Sequence, residues 1–248
     1  MNTTHRAHDY QHLARRWRAV TKMAGLKLQV LAKAGDLPVF WFKTPAMKAS
    51  GGIYISAGIH GDEPAATEAL IAWAELNWKK LSGLPLMIFP CLNPYGLSCN
   101  VRTNESGVDL NRCFHTDEQP VVAALKKAVG DHRFTLSLML HEDYEGQGLY
   151  LYELLTKEKG LGEELLKAGS KFIPLEPRTN IDGTKAVGGL IRRRFTKSRF
   201  DRMGYPEAIW LYLSHGSRAF TVETPSEFAL DVRTRALRAV IEECVASS

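Results

Sequence analysis

Ile55-Ser-Ala-Gly58-Ile-His60-Gly-Asp-Glu63-Pro64-Ala65 opens as an apolar run and closes by presenting a histidine and, three residues on, a glutamate. An apolar strand that stops at Gly58, with a proline where a first helical turn tolerates one, reads as a strand turning into a helix. In such a turn His60 and Glu63 can point at one spot. A neutral imidazole beside a carboxylate suits Zn2+, which takes nitrogen and oxygen ligands and, when catalytic, keeps one position open for water. An isolated His-x-x-Glu is common, so the reading depends on what the rest of the chain brings to the same place.

Around this stretch the pattern is that of an α/β protein. Ile53 to Ala57 is a short, wholly apolar strand, and Ala65 to Trp78 is an Ala/Leu/Trp-rich helix behind it. Leu86 to Cys91 is the next buried strand, which completes a βαβ unit with a parallel pair. In such sheets ligands gather beyond the carboxyl ends of the strands. His60 and Glu63 lie at that end of one strand, and Asn93-Pro-Tyr-Gly96 at the same end of the next. From Asn93 to Phe114 the chain has little periodicity and many polar groups, which predicts a long irregular loop of functional character containing Arg102, Asp109, Asn111 and Arg112. Gln119 to Val129 predicts a helix, and Phe134 to Leu140 a third apolar strand ending at His141-Glu142-Asp143. Ala219 to Val222 is the last strand and ends at Glu223-Thr-Pro225; Glu227 to Val245 is the closing helix, with Ser226 as its expected cap.

The remaining segments carry less chemistry. Leu13, Trp17 and Val20 at helical spacing predict a surface helix over residues 8 to 24, and Leu28 to Ala32 with Val39 to Phe42 read as a hairpin at a sheet edge. Tyr150 to Leu155 predicts a short strand and Lys157 to Ala168 a short helix. Residues 170 to 206, rich in Gly, Arg and Thr, are expected as loops covering one face; Ala208 to Leu213 fits either a helix or a short strand.

The 248 residues contain no Pro/Gly/Ser-rich linker, so one domain is expected over 1–248, with 1–45 forming an N-terminal helix and edge hairpin. With 45% hydrophobic residues a sizeable core can form, and no apolar run approaches the roughly 20 residues a membrane span needs. The N-terminus MNTTHRAHDYQHLARRWRAV lacks the apolar stretch of a secretory signal, which sets the expectation of a cytoplasmic location. Cys91, Cys99, Cys113 and Cys244 are scattered without a CxxC pair, against a cysteine zinc site or a disulfide framework. Net charge is +5, which calls for neither a nucleic-acid nor a membrane partner. Much of the excess sits in Arg192-Arg193-Arg194, Lys197, Arg199 and Arg202, read as a solvated loop, with attraction of an acidic ligand as the alternative.

Four separate strands thus end in residues suited to one hydrolytic site. Two histidines and a glutamate, His60, Glu63 and His141, are a three-ligand set for catalytic zinc. Glu223 is a free carboxylate able to take a proton from the attacking water and hand it to a leaving amine. Arg102 can stabilise the oxyanion formed on a carbonyl, and Arg112 with Asn111 can hold a substrate carboxylate by bidentate hydrogen bonds. Asp109 and Asn93 read as loop-bracing residues.

On the motifs GIHGDEP at 58–64, NPYG-x5-R at 93–102, VDLNRCF at 108–114, LHE at 140–142 and TVETP at 221–225, the chain resembles the M14 zinc carboxypeptidases. That family includes the pancreatic carboxypeptidases, murein peptide amidases and the succinylglutamate desuccinylase and aspartoacylase group. The resemblance implies a single α/β/α domain with a mixed, mostly parallel eight-stranded sheet. It also implies one zinc ion held by His60, Glu63 and His141, Glu223 as general base, Arg102 as electrophile, and Asn111 with Arg112 gripping a terminal carboxylate. The implied activity is a metallocarboxypeptidase acting on short peptides; the alternative is a deacylase of N-acyl amino acids. Pancreatic-type members carry a mobile tyrosine before the catalytic glutamate. Tyr205 and Tyr212 lie in that interval without a matching motif, and packing is the reading for both. Asp143 is a candidate acceptor bracing a metal-bound histidine, with a solvent-facing aspartate as the equal alternative.

Overall fold

The apolar run Ile53–Ala57 becomes an inner strand of an eight-stranded mixed sheet. The structure is a computed structural model, and it describes residues 6–154, 160–195, 198 and 204–247. In chain order the elements are α1 (Tyr10–Met23), β1 (Gln29–Ala34), β2 (Leu37–Lys43), β3 (Ile53–Ala57), α2 (Pro64–Leu81) and β4 (Leu86–Phe89). There follow α3 (Pro94–Cys99), α4 (Pro120–Val129), β5 (Leu136–Asp143), β6 (Tyr150–Leu154) and α5 (Gly162–Gly169). The chain continues with β7 (Asn180–Ile181), β8 (Thr184–Lys185), β9 (Leu190–Arg193), α6 (Glu207–His215), β10 (Arg218–Pro225) and α7 (Leu230–Ala246). The sheet order is β1-β2-β4-β3-β5-β10-β6-β9, and β7 and β8 form a separate small hairpin. The inner strands β4, β3, β5 and β10 run parallel, so their carboxyl ends open on one edge.

Alternation along the strands divides the core into two layers. Ile53, Ile55, Leu136, Leu138, Leu140, Phe220 and Val222 face a layer built by α1, α2, α5 and α7. Tyr54, Met139 and Ala219 face the opposite layer, with Val122 and Leu125 of α4 and Ile209 and Leu211 of α6. Helices therefore cover both faces. His141 is in phase with Met139, and Glu223 with Ala219, so both reach the α4/α6 face at the open end of the sheet. β3 is buried at every position, and each large aliphatic side chain removed from water there contributes roughly 1.5–3 kcal/mol.

Several expectations needed correction. The segment after Asn93 is not wholly irregular, because Asn93 caps the short helix α3 by accepting from the Gly96 N–H at 2.9 Å, and Leu110–Arg112 forms a 3-10 turn. α1 is less a surface helix than a packed one: Trp17 is buried against Phe42 with ring centroids 5.7 Å apart. The stretch expected as loops contains β9, paired in parallel with β6, so Arg192 and Arg193 belong to a sheet edge and not to a solvated loop. Lys197, Arg199 and Arg202 lie outside the described residues. Ala208–Leu213 is helical, within α6. α7 starts at Leu230 after Ala229, with no side-chain cap; Ser226 is not its cap.

Candidate active site

The strand-to-helix turn is shaped by two glycines. Gly58 sits at φ +62°, in the left-handed region, and a Cβ there would lie 2.6 Å from Cγ2 of Thr67. At Gly61 a Cβ would come within 1.9 Å of the carbonyl carbon of Gly96, because the turn leans directly on the backbone of α3. Glu63 then occupies the position just before α2, with Pro64 first in the helix. A residue there ordinarily caps the helix with its side chain. Glu63 does not. Instead Glu142 of β5 accepts from the Ala65 N–H at 2.5 Å and also pairs with Arg233 of α7, which leaves Glu63 to face the histidines.

The histidine Nδ1 atoms converge on that carboxylate. His60 Nδ1 lies 2.6 Å from Oε1 of Glu63, and His141 Nδ1 lies 2.9 Å from Oε2. One donor atom from each of the three residues falls within 4.8 Å of the others, and all three side chains are buried. Two imidazoles and a carboxylate so arranged fit a divalent cation taking nitrogen and oxygen ligands. Burial disfavours charge on His60, but Glu63 and a hydrogen bond to Asp109 outweigh it and raise its pKa to about 9. The same opposition holds His141 above its ordinary value and Glu63 well below the usual carboxylate range.

Asp109, read from sequence as a loop brace, does more. It accepts from the Asn111 N–H at 2.9 Å, lies 3.2 Å from Nε2 of His60, and receives Nε and Nη2 of Arg102, each at 3.1 Å. Burial opposes its ionisation, but His60, Arg102 and Arg112 hold it below the usual carboxylate range. A carboxylate on the far nitrogen of a ligating histidine fixes the ring's orientation and tautomer. Asp143, read as either a brace or a solvent-facing aspartate, accepts from Tyr150 Oη at 2.9 Å and from Arg178 at 3.2 Å.

Glu223 stands directly across the β5/β10 ladder from His141, with Tyr150 opposite it on β6. Its carboxyl group opens on the cavity. Surrounding protein and the charges of Glu63 and Asp143 still push its pKa above the ordinary range, against the pull of His141. One cavity of about 450 Å3 joins His60, Glu63, His141 and Glu223 to Arg102 and Arg112. Arg102 reaches to 3.7 Å of Glu63. Asn111 also lines the cavity, but its Oδ1 accepts from the Glu207 N–H at 2.9 Å, which turns the amide nitrogen away from that contact. Asn93 Nδ2 donates to the carbonyls of Arg102 and Thr103, so its bracing role holds.

Tyr205 and Tyr212 pack in the α4/α6 layer, Tyr205 with its ring 5.7 Å from that of His115. The tyrosines that line the cavity are Tyr150 and Tyr152. Arg193 and Arg178 line it too. Sequence reasoning placed neither the two tyrosines nor Arg178 at the site and read Arg193 as part of a solvated loop, with an acidic ligand as the alternative, although the alternation Tyr150–Tyr152–Leu154 on a strand paired with that of Glu223 was a usable signal.

Among the described residues no helix is long and apolar enough to cross a membrane. The model of the succinylglutamate desuccinylase/aspartoacylase catalytic domain matches residues 50–157. Murein peptide amidase A of Escherichia coli K12 is 36% identical over 77 residues, a match spanning 31% of this chain and 31% of that protein. The fold matches a candidate metallopeptidase from Shewanella amazonensis SB2B with a TM-score of 0.84 at 23% identity, covering 97% of this chain and 94% of the other. A metallo-carboxypeptidase from Burkholderia cenocepacia matches with a TM-score of 0.68 at 16% identity, over 94% of this chain and 67% of its own. The fold is zinc carboxypeptidase-like.

Proposed function

These findings support an M14-like enzyme, and on that premise we propose that the protein is a zinc-dependent metallocarboxypeptidase acting on short peptides with a free terminal carboxylate. The observation that carries the reading is the juxtaposition of the His60–Glu63–His141 donor cluster with Glu223, the cross-strand neighbour of His141, in a cavity that also holds Arg102 and Arg112.

His60 and His141 would hold one zinc ion through Nδ1, with Glu63 as the carboxylate ligand. Bound there, zinc supplies Lewis acidity and makes water a stronger acid. The carboxylate of Glu223 accepts a proton from the attacking water and delivers it to the leaving amide nitrogen. Arg102, held in plane by Asp109, offers its remaining N–H groups to the oxygen that becomes negative on the scissile carbonyl. Arg112, beside Asn111, takes the terminal carboxylate. Asp109 holds His60 in register from its Nε2 side.

A second reading, a deacylase that releases an amino acid from its N-acyl form, is supported by the matched desuccinylase and aspartoacylase catalytic segment. Turnover by zinc-loaded protein on peptides with free and with amidated C-termini, beside N-acyl amino acids, separates the two. Cleavage confined to free C-termini supports the carboxypeptidase, preference for N-acyl amino acids supports the deacylase, and no turnover on any of them refutes both. Glu223→Gln is expected to keep zinc and to lose roughly 100- to 10,000-fold in turnover, whereas His60→Ala and His141→Ala lose the metal. Full activity in zinc-loaded Glu223→Gln would refute the general-base role.

A further inference from the structure

We propose that Glu207 is a positioning residue: pinned to β3 by its carboxylate, it fixes the Asn111 amide with the nitrogen towards the cavity, so that the site reads an anionic chain end. The proposal rests on the carboxypeptidase reading for the carboxylate that Asn111 meets.

Glu207 differs from the other buried glutamates outside the ligand cluster. Glu142, Glu153 and Glu176 each pair with an arginine. Glu207, 1% exposed, has no cation beside it among the described residues. Its carboxylate accepts instead from two neutral hydroxyls, Tyr54 Oη and, at 2.9 Å, Ser56 Oγ. Tyr54 and Ser56 share one face of β3, and Ser56 stands four residues before His60. The start of α6 is thereby tied to the strand that leads into the metal-binding turn. A buried carboxylate held only by neutral donors is a costly way to join a helix to a sheet where an apolar side chain would pack. Its use lies in what the same residue holds on its other side.

There the Glu207 N–H, one of the unsatisfied donors of the first turn of α6, donates to Asn111 Oδ1 at 2.9 Å. A backbone N–H can only donate, so this contact decides which end of the amide is oxygen. The Asn111 N–H is held in turn by Asp109 Oδ1, also at 2.9 Å. With backbone and oxygen both committed, Nδ2 is the free end, without a hydrogen-bond partner among the described residues, on a side chain that lines the cavity. Arg112 commits Nη1 to the Asn111 carbonyl at 2.9 Å, which sets its guanidinium beside that amide. Amide nitrogen and guanidinium together present donors to a carboxylate. A reversed amide would set an acceptor against it and would suit an amidated terminus instead. Pro206, Ala208 and Ile209, which flank Glu207, form the adjoining wall, so a displaced helix start would disturb wall and amide together.

The test measures kcat/KM of zinc-loaded protein on N-acetyl-alanyl-alanine and on its C-terminal amide, with zinc content recorded for each variant. Glu207→Leu is expected to keep zinc and to lower the acid-over-amide ratio roughly 10-fold, through KM for the acid. Glu207→Gln can accept from Tyr54 and donate to Ser56, and should hold the ratio within about 2-fold of wild type. Asn111→Ala should lower the ratio as Glu207→Leu does, and adding Glu207→Leu to it should lower the ratio no further. A merely structural role slows acid and amide alike and leaves the ratio where it was. Wild type that favours the acid while Glu207→Leu keeps the full ratio overturns this proposal alone, as does a double variant showing the product of the two single effects. Wild type that cuts both substrates alike defeats the carboxypeptidase reading and this proposal with it. Should neither be cut, calorimetry with the same two compounds decides: an acid preference in wild type that Glu207→Leu diminishes supports the proposal, and equal binding or an undiminished preference overturns it. Should Glu207→Leu fail to fold or to hold zinc, Tyr54→Phe with Ser56→Ala removes both hydroxyls and carries the same comparisons.

Discussion

Replacing Arg233 by methionine probes the clamp that frees Glu63. The Glu142 side chain is fully buried, which lifts its pKa to about 7 against the pull of Arg233, and that of Arg233 is 12% exposed, so at pH 8 Arg233→Met removes the only cation that Glu142 pairs with among the described residues and leaves it beside Glu63 either charged or forced to take up a proton. Breaking a buried pair from one side costs roughly 3–5 kcal/mol, and for a chain of this size each kcal/mol moves the melting temperature by about 2–4 °C. A fall on the order of 10 °C is therefore expected. Glu142→Leu should cost less, because the partly exposed arginine can carry its head to water. The double variant removes both charges and loses chiefly the Ala65 N–H contact, about 1 kcal/mol for a helix cap. The order of destabilisation is then Arg233→Met, Glu142→Leu, double variant. Urea unfolding followed by tryptophan fluorescence, in chelator so that metal binding does not contribute, measures all four proteins. The reasoning fails if Arg233→Met lies within about 1 kcal/mol of wild type, or if the double variant is no more stable than Arg233→Met.

Other consequences are as direct. Gly61→Ala drives a methyl group into the backbone of α3, so it should destabilise by several kcal/mol, on the order of the severe cases, and abolish metal binding; a soluble, zinc-binding Gly61→Ala protein would contradict the contact. Burial holds the pKa of Glu207 above its ordinary 4.5, against hydrogen bonds from Tyr54 and Ser56, so the fold binds this proton more tightly than the unfolded chain does. Its contribution to stability is then lost as pH rises, and Glu207→Gln should gain on wild type between about pH 5 and 8; a constant difference in melting temperature over that range refutes this. Burial pushes the thiols of Cys91 and Cys244 up to about 12, so alkylation of native protein should label exposed Cys99 first and reach those two only on unfolding, as mass spectrometry of the labelled peptides would record.

How far the sequence spoke for the structure depended on the range of the interaction involved. The strands β3, β4, β5 and β10 are dense apolar runs bounded by turn residues, and their pattern is local, so their positions were legible. The His60–Glu63–His141 cluster was legible because its members lie at the carboxyl ends of two such strands, in the turn after β3 and near the end of β5. β9 escaped because Leu190 and Ile191 are only two apolar residues, followed by arginines that mask the alternation. α3 escaped because its six residues, Pro94–Cys99, include a glycine and depend on the Asn93 cap more than on an apolar stripe. Asp109 was read as a loop brace and Asn111 as a partner of a substrate carboxylate; what each one holds here, His60 in one case and the Glu207 N–H in the other, is set by contacts 49 and 96 residues apart. No local pattern encodes those.

The pairing of His141 with Glu223 across β5 and β10 makes their spacing independent of the loops that follow each strand. The imidazole and the carboxylate are spaced by the hydrogen-bonded ladder itself, ~4.8 Å from strand to strand, whatever the connections do. Much of the remaining cavity wall comes instead from an edge strand, the small β7–β8 hairpin and the start of α6. Insertions or losses in those outer pieces can therefore reshape the far wall of the cavity while the distance between the His141 and Glu223 backbones stays the same.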